Sequence, residues 1–435
     1  MKNFLERTWK LNRHLVSDDF KKTLDVINER IPLTYHTYPT GRQYFDWVVP
    51  KKWVINDAYI EDENRNKVLD WKKNPLHVVS GSLPINQTIS KEELLKKTYV
   101  SEKYHNLIPY IFKFYELDWG FCMSKNDRDN LRGDKFKVVI DSKYVDDYMY
   151  LGEHVIKGQI DKSFILMAHI DHPAQVNDDL AGAAILLKLA EDLKNFSPYY
   201  TLKFQFLAER IGSIAYLAEA EEKGTIDDIV GAIFCEMPGT PNYPITLQHS
   251  KFNNSIVDRI SKYVLKRTDE EVKFANCFEH VVNDDGVYNS PDMDIPCVSI
   301  SRAKKLEVDD WNHFPYYHTS GDNLDNLDFI QMERTLDVFK EILNVFNKDR
   351  VIYKNYKGVL HLSRHNLWVD AKLNPELHKN IYKLLYVMDN GRTIFDLCEQ
   401  ENIDFNQVYG FMKTLEEKDL VHLTPTDKIW QGDRK

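Results

Sequence analysis

The tightest constraint on this chain is the stretch FILMAHIDHPAQVNDDLAG at residues 164–182, where an apolar run meets a dense set of imidazoles and carboxylates. Residues 164–168 are too short and too uniformly apolar for an amphipathic helix, and read as a strand buried on both faces of a parallel sheet. His169 then stands at the strand's carboxyl end. Open α/β sheets bind ligands beyond the carboxyl ends of their strands, so His169, Asp171 and Asp178 sit where a metal or substrate is expected. Residues 181–196 read as a largely apolar helix, with Asp178 and Asp179 near its amino terminus, where negative charge is favoured.

Two further runs repeat the design. TLKFQFLA at residues 201–208 reads as a strand delivering Glu209, and GAIFC at 231–235 as a buried strand delivering Glu236. A fourth element, PYYHTSGD at 315–322, places His318 in a loop before an amphipathic helix. Imidazole nitrogen and carboxylate oxygen form the ligand set of a catalytic zinc that keeps one position open for water. Glu209 followed by Arg210 also admits a plainer reading, a buried strand-end acid neutralised by its neighbour.

These phrases together resemble the co-catalytic zinc aminopeptidase superfamily, to which glutaminyl cyclases are related. Over nearly its full length the chain is also similar to a bacterial group of aminopeptidase-like proteins, on GRQYFDW (41–47), NPLHVV (74–79), DWGFC (118–122) and ERIGSIAY (209–216). Members of that group carry a domain inserted near the amino terminus and a carboxyl-terminal winged helix, and often stand among polysaccharide-biosynthesis proteins. The resemblance implies an α/β fold with a mixed, mostly parallel sheet flanked by helices, a catalytic domain at 1–40 and 133–350, a β-rich insertion at 41–132, and a winged helix-turn-helix with its connector at 351–435.

The resemblance also implies roles. Asp178 is the carboxylate that bridges two ions in two-metal relatives, with His169 and Glu236 completing one site and His318 belonging to the second. A cis peptide is expected at Asp178-Asp179. Asp171 is the acid expected to accept the other N–H of His169, and Glu209 the general base that moves a proton from water to the leaving amine. Arg210 departs from the pattern, because two-metal relatives hold a ligating acid there and a guanidinium cannot ligate. Either one zinc is bound by His169, Asp178 and Glu236, with His318 rearranged or on substrate, or a neighbour such as His172 compensates. One ion is the preferred reading. His172 reads equally as a hydrogen-bond partner. Arg210 either offers charge to a substrate carboxylate or oxyanion, or points away and pairs with an acid. Asp284 and Asp285, in NDDGVY at 283–288, lie where relatives contact substrate, although a polar turn gives the same text. His77, His249 and His313 receive no role from spacing.

A chain of 435 residues implies two or three domains, and a net charge of −10 gives no general attraction to nucleic acid or anionic membrane. Five scattered cysteines indicate neither a disulfide framework nor a thiolate zinc site. With no signal-peptide core and no run of membrane-spanning length, a cytoplasmic setting is expected.

Residues 1–30 read as helix, packing on the outer layer of the catalytic domain. Across residues 31–132 the texture turns to Tyr- and Trp-rich runs such as YFDWVVPKKWVINDAYIEDENRNKVLDW (44–71), strand, turn and strand. Its Phe45, Trp47 and residue 115–121 aromatics are expected in a core. From Lys135 the α/β alternation is expected to resume. Beyond Asn374 the outline is helix, turn, short helix, helix and strand. Many such units insert a helix into DNA. Here that helix offers Lys413 against Asp404, Glu416 and Glu417, which favours packing or homo-oligomerisation over nucleic acid.

The function expected from this reading is zinc-dependent amide hydrolysis, an aminopeptidase acting on a small peptide or aminoacyl conjugate. A near alternative keeps the metal for an N-deacylase or cyclase acting on a sugar or metabolite. A third reading is a catalytically silent ligand-binding or regulatory protein.

Overall fold

The computed structural model describes residues 1–113, 116–305, 307 and 312–426. It divides into two compact units, the first comprising Met1–Val257 with Asp269–Asp337. At its centre is an eight-stranded sheet ordered Thr34–Pro39, Tyr148–Ile156, Tyr200–Leu207, Ile160–His169, Ile229–Glu236, Cys297–Ser301, Ile245–Gln248 and Val272–Ala275. Tyr200–Leu207, Ile160–His169, Ile229–Glu236 and Cys297–Ser301 run parallel to one another. Antiparallel strands join on both sides, making the sheet mixed.

The apolar run at 164–168 is strand and wholly buried, as expected of a strand covered on both faces. The helix Leu180–Asp192 buries ten of its thirteen residues, because Ala, Leu and Ile occupy almost its whole circumference. Gly182 is required near its start. A Cβ there would lie 2.3 Å from the Cys235 carbonyl oxygen and 2.7 Å from the Asp179 carboxylate, too close for any side chain.

A second sheet in the same unit is antiparallel and ordered Lys67–Asp70, Lys52–Glu61, Lys135–Val145 and Ile85–Ser90. Lys135–Val145 therefore belongs to this β-rich region, and the α/β alternation resumes later than expected. Trp53, Ile60, Phe121, Phe136 and Val138 form its core, with Trp119 packed partly buried against it. Phe45 and Trp47 do not join that core. They are 42% and 37% exposed, because they sit on a hairpin with only two residues per strand, too short to bury its tip. Tyr115 lies outside the described residues. The amino-terminal helix is two helices, Lys2–Thr8 and Asp18–Asn28, with Ser17 capping the second. Between them Arg13 is fully buried, and its guanidinium donates to carbonyls of Thr8, His172 and Gln175, contacts a continuous helix would not provide.

The second unit comprises Asp258–Thr268 with the chain from Val338 onward. Helices Pro375–Val387, Ile394–Glu401 and Phe405–Glu417 follow the predicted spacing, and Val421–Thr424 pairs antiparallel with Val351–Lys354. Thr393 and Asp396 form a capping box, and Asp404 caps the third helix. Among the described residues none of the five cysteines forms a disulfide. Among the described residues no helix is long and apolar enough to cross a membrane.

Candidate metal centre

The parallel strands end level with one another, His169 pairing in register with Leu207 and Glu236 with Ser301. Their carboxyl ends therefore deliver His169, Glu209 and Glu236 to one edge. Asp178 arrives on the loop leading into the helix Leu180–Asp192, just before the only cis peptide among the described residues, Asp178-Asp179, which the resemblance implied. Asp322 holds that loop, accepting backbone N–H groups of Asn177 and Asp178 at 2.8 and 3.1 Å.

The Asp178 carboxylate is the hub. Its Oδ1 lies 3.2 Å from His169 Nε2 and 3.3 Å from His172 Nδ1, and its Oδ2 3.0 Å from His318 Nε2. His172 Nε2 turns to Glu209 Oε2 at 3.2 Å. Burial opposes the charge on Asp178, but His172, with His169 and His318, overcomes it and holds the carboxyl well below the usual range. Glu209 is likewise held at about 2 against burial, chiefly by its hydrogen bond from His172. Glu236 goes the other way. Burial pushes it well above its ordinary value, and its Oε1 accepts only from Asn283 Nδ2 at 3.0 Å.

Three expectations meet a different outcome, and Arg210 follows the reading in which it points away, though over a ring and not an acid. His169 Nδ1 faces Asp284 Oδ2 at 3.4 Å, so Asp284 takes the place assigned to Asp171. Asp171 instead accepts the backbone N–H of Glu209 at 2.8 Å, fixing the general-base candidate from behind. Asp284 and Asp285 are fully buried in the short helix Asp284–Tyr288 and line no open loop; Asp285 receives Gln248 Nε2 at 2.8 Å. Arg210 is exposed with φ +57°, and its guanidinium lies 5.7 Å from the Trp47 ring, away from the cluster. It does not neutralise Glu209, whose partner is His172. Only the Arg210 backbone N–H serves the site, donating to Asp284 Oδ1 at 2.9 Å. Tyr110 went unforeseen. Its ring lies 5.5 Å from His172 and 5.1 Å from His318, and no local pattern in the sequence announces it.

The donor set fits a divalent cation. Donor atoms of His169, His172 and Asp178 lie within 4.8 Å of one another, as do those of Asp171, His172 and Glu209. Zinc donors at roughly 2.0–2.1 Å in a tetrahedron stand about 3.3 Å apart, the separation that Asp178 Oδ1 keeps from two imidazoles. Glu236 Oε2 and Asp179 Oδ2 are buried without a hydrogen-bond partner, an arrangement that costs free energy unless positive charge approaches them.

A chain named a polysaccharide biosynthesis protein with an aminopeptidase-like domain, from Clostridium acetobutylicum, is 31% identical, with 93% of this chain and 92% of that one covered. A crystal structure from the same organism, provisionally named a peptidase, superposes with TM-score 0.88 at 27% identity, covering 97% of this chain and 95% of that one. A zinc aminopeptidase from Bacillus subtilis shares the fold, with TM-score 0.57 at 13% identity over 79% of this chain and 94% of that one. The family model described as a domain of unknown function, DUF4910, matches residues 2–349, and the chain belongs to that family.

Proposed function

We propose that this protein is a zinc-dependent amide hydrolase, an aminopeptidase acting on a small peptide or aminoacyl conjugate. The observation that carries the reading is Asp178 held between His169 and His318, with Glu209 bound to the His172 that touches the same carboxylate. His169, Asp178 and Glu236 would hold the ion, with His318 on the free side of Asp178 and His172 beside it. A divalent cation held there would supply acidity to water and polarity to a carbonyl.

The chain's own residues do the rest. Asp284 binds His169 Nδ1 and leaves Nε2 for the ion, fixing the tautomer. Asp171 and His172 orient Glu209, which accepts the proton of the attacking water and returns it to the leaving amine nitrogen. Glu209 keeps partial access to solvent, with 30% of its side chain exposed, so substrate can reach it.

The name of the Clostridium relative favours a second substrate class, an N-acyl amino sugar or related metabolite cleaved by the same groups. Aminoacyl anilides assayed beside N-acyl amino sugars separate the two, with Glu209→Gln as control. One zinc per chain with Glu209-dependent turnover supports the proposal, and two ions per chain defeat the single-zinc form. Neither metal nor turnover would leave a silent ligand-binding protein. The carboxyl-terminal unit is read as a winged helix-turn-helix used for packing or self-association, which light scattering of the full chain with and without added DNA tests.

A further inference from the structure

Strand register in the large sheet lines up Glu236, Ser301, Thr246 and Lys273, each opposite the next on neighbouring strands. Side chains paired in this way project from one face, and neighbouring strands stand about 4.8 Å apart, so Thr246 lies two strand spacings, about 10 Å, from Glu236. Lys273 belongs to Val272–Ala275, the strand at the edge of the sheet.

That face is polar by alternation. It takes Thr246 and Gln248 from Ile245–Gln248, and Ser299 and Ser301 from Cys297–Ser301, while Leu247, Val298 and Ile300 face the other way. All four polar side chains are buried. A buried polar group costs free energy unless it is hydrogen-bonded. Gln248 Oε1 accepts the backbone N–H groups of His280 and Val281, and Ser301 Oγ meets His280 Nε2 at 3.2 Å. The hydroxyls of Thr246 and Ser299 have no partner among the described residues.

Thr246 also lines a pocket of about 510 Å³ at the sheet edge, a volume within the range of small-molecule sites. Lys273, Lys304 and Lys305 surround it, and Glu279 and Glu307 are the acids on its wall. The Glu279 carboxylate is engaged by Asn276, whose backbone N–H and Nδ2 donate to it at 3.3 and 3.1 Å. Lys273 reaches Glu271 only at 3.9 Å, in a pair open to solvent. Burial, followed by the positive charges of His313, Lys273 and Lys305, holds the His280 imidazole down at about 4, so the cations set the field on that wall. His280 covers Ser301, which stands between Thr246 and Glu236 in the row.

We propose that this pocket is an anion site, separate from the metal centre, that takes the phosphoryl group of a small organic phosphate. Lysine ammonium groups bind phosphate as point charges. Three of them beside the Thr246 hydroxyl suit the three terminal oxygens of a phosphate monoester better than the two of a carboxylate. The rest of the pocket holds the organic part of the ester. The inference stands apart from the hydrolase reading, since it needs neither metal nor turnover.

The test is calorimetric titration of the full chain, at fixed ionic strength, with glycerol 3-phosphate, inorganic phosphate and glycerate. The ester is expected to bind, inorganic phosphate more weakly, and glycerate not measurably. Lys273→Met and Lys305→Met should each weaken the ester on the order of tenfold, the value of one charge-assisted hydrogen bond. Thr246→Val should weaken it as well while Tm holds, because the hydroxyl has no partner to lose. Lys194→Met, on an exposed turn elsewhere in the same unit, should bind as wild type does. A wild type that does not bind the ester overturns the proposal, as do glycerate binding with equal affinity and pocket variants that bind like wild type. Inorganic phosphate bound as tightly as the ester overturns the organic ligand.

Discussion

Arg302 and Asp178 are both shut away from solvent in the α/β unit, at 0% and 2% exposure, yet their surroundings differ in kind. Arg302 meets Glu270 through two parallel bonds of 2.7 and 2.9 Å, and its remaining donors reach Thr335 and the Tyr243 carbonyl. Its charge is matched within hydrogen-bond distance, the bidentate geometry that makes guanidinium–carboxylate pairs strong. Around Asp178 the acids outnumber the bases, and Glu236 and Asp179 each keep an oxygen with no partner. A buried charge that is matched belongs to the architecture. Buried carboxyl groups left without partners beside imidazoles mark where something else is meant to bind.

That contrast is open to attack from both sides. The largest effect is expected at the hub: Asp178→Asn should lose bound metal on dialysis and with it all turnover, which elemental analysis and the amide assay read together. Retention of stoichiometric metal would show that the hub has been misplaced. Next, Glu209→Gln should keep its metal and fold but lower kcat by roughly 10²–10⁴-fold, the usual contribution of a positioned proton carrier. Arg302→Met, leaving Glu270 buried without its partner, should cost about 3–5 kcal/mol in urea unfolding while metal stoichiometry stays at the wild-type value. A joint Arg302→Met and Glu270→Leu replacement should recover most of that loss, since two apolar groups leave no charge behind.

The smallest effect concerns Asp349 in the second unit, a buried acid with an unpartnered Oδ2 but no imidazole among its hydrogen-bond partners. Burial pushes it up to about 7. Because that lies above the unfolded value, its contribution to stability is complete below the unfolded pKa and fades as pH rises from there through about 7. Asp349→Asn should flatten this dependence, by at most about 1.4 kcal/mol per pH unit, as read by hydrogen exchange across residues 375–424. It should leave metal content untouched. If Asp349 proved to bind metal, an orphaned oxygen alone would suffice to mark a site, and the imidazoles would lose their meaning.

Much of the site was legible because strand ends are legible. Uniform apolar runs at 164–168 and 231–235 demand burial on both faces, and burial in a parallel sheet places whatever follows them, His169 and Glu236, at one edge. Asp178 was reached from its place beyond a strand end and His318 from its loop, their ligand roles coming from the resemblance, and the structure brings His318 to the Asp178 carboxylate. The aromatics of the two-residue hairpin were misjudged, since composition describes what a residue tends to do and not whether its strand is long enough to cover it.

What the sequence determined by itself was the buried strands at 164–168, 201–208 and 231–235 and the acids and imidazoles at their ends, because apolar periodicity acts over a few residues. The tertiary structure decided which of these groups meet. It gave His169 the carboxylate of Asp284, 115 residues away, where the near neighbour Asp171 was expected, set the Arg210 guanidinium over the Trp47 ring, and brought Tyr110 against His172 and His318. Such pairings depend on strand register and loop torsions summed over the whole fold, and no local stretch of residues encodes them.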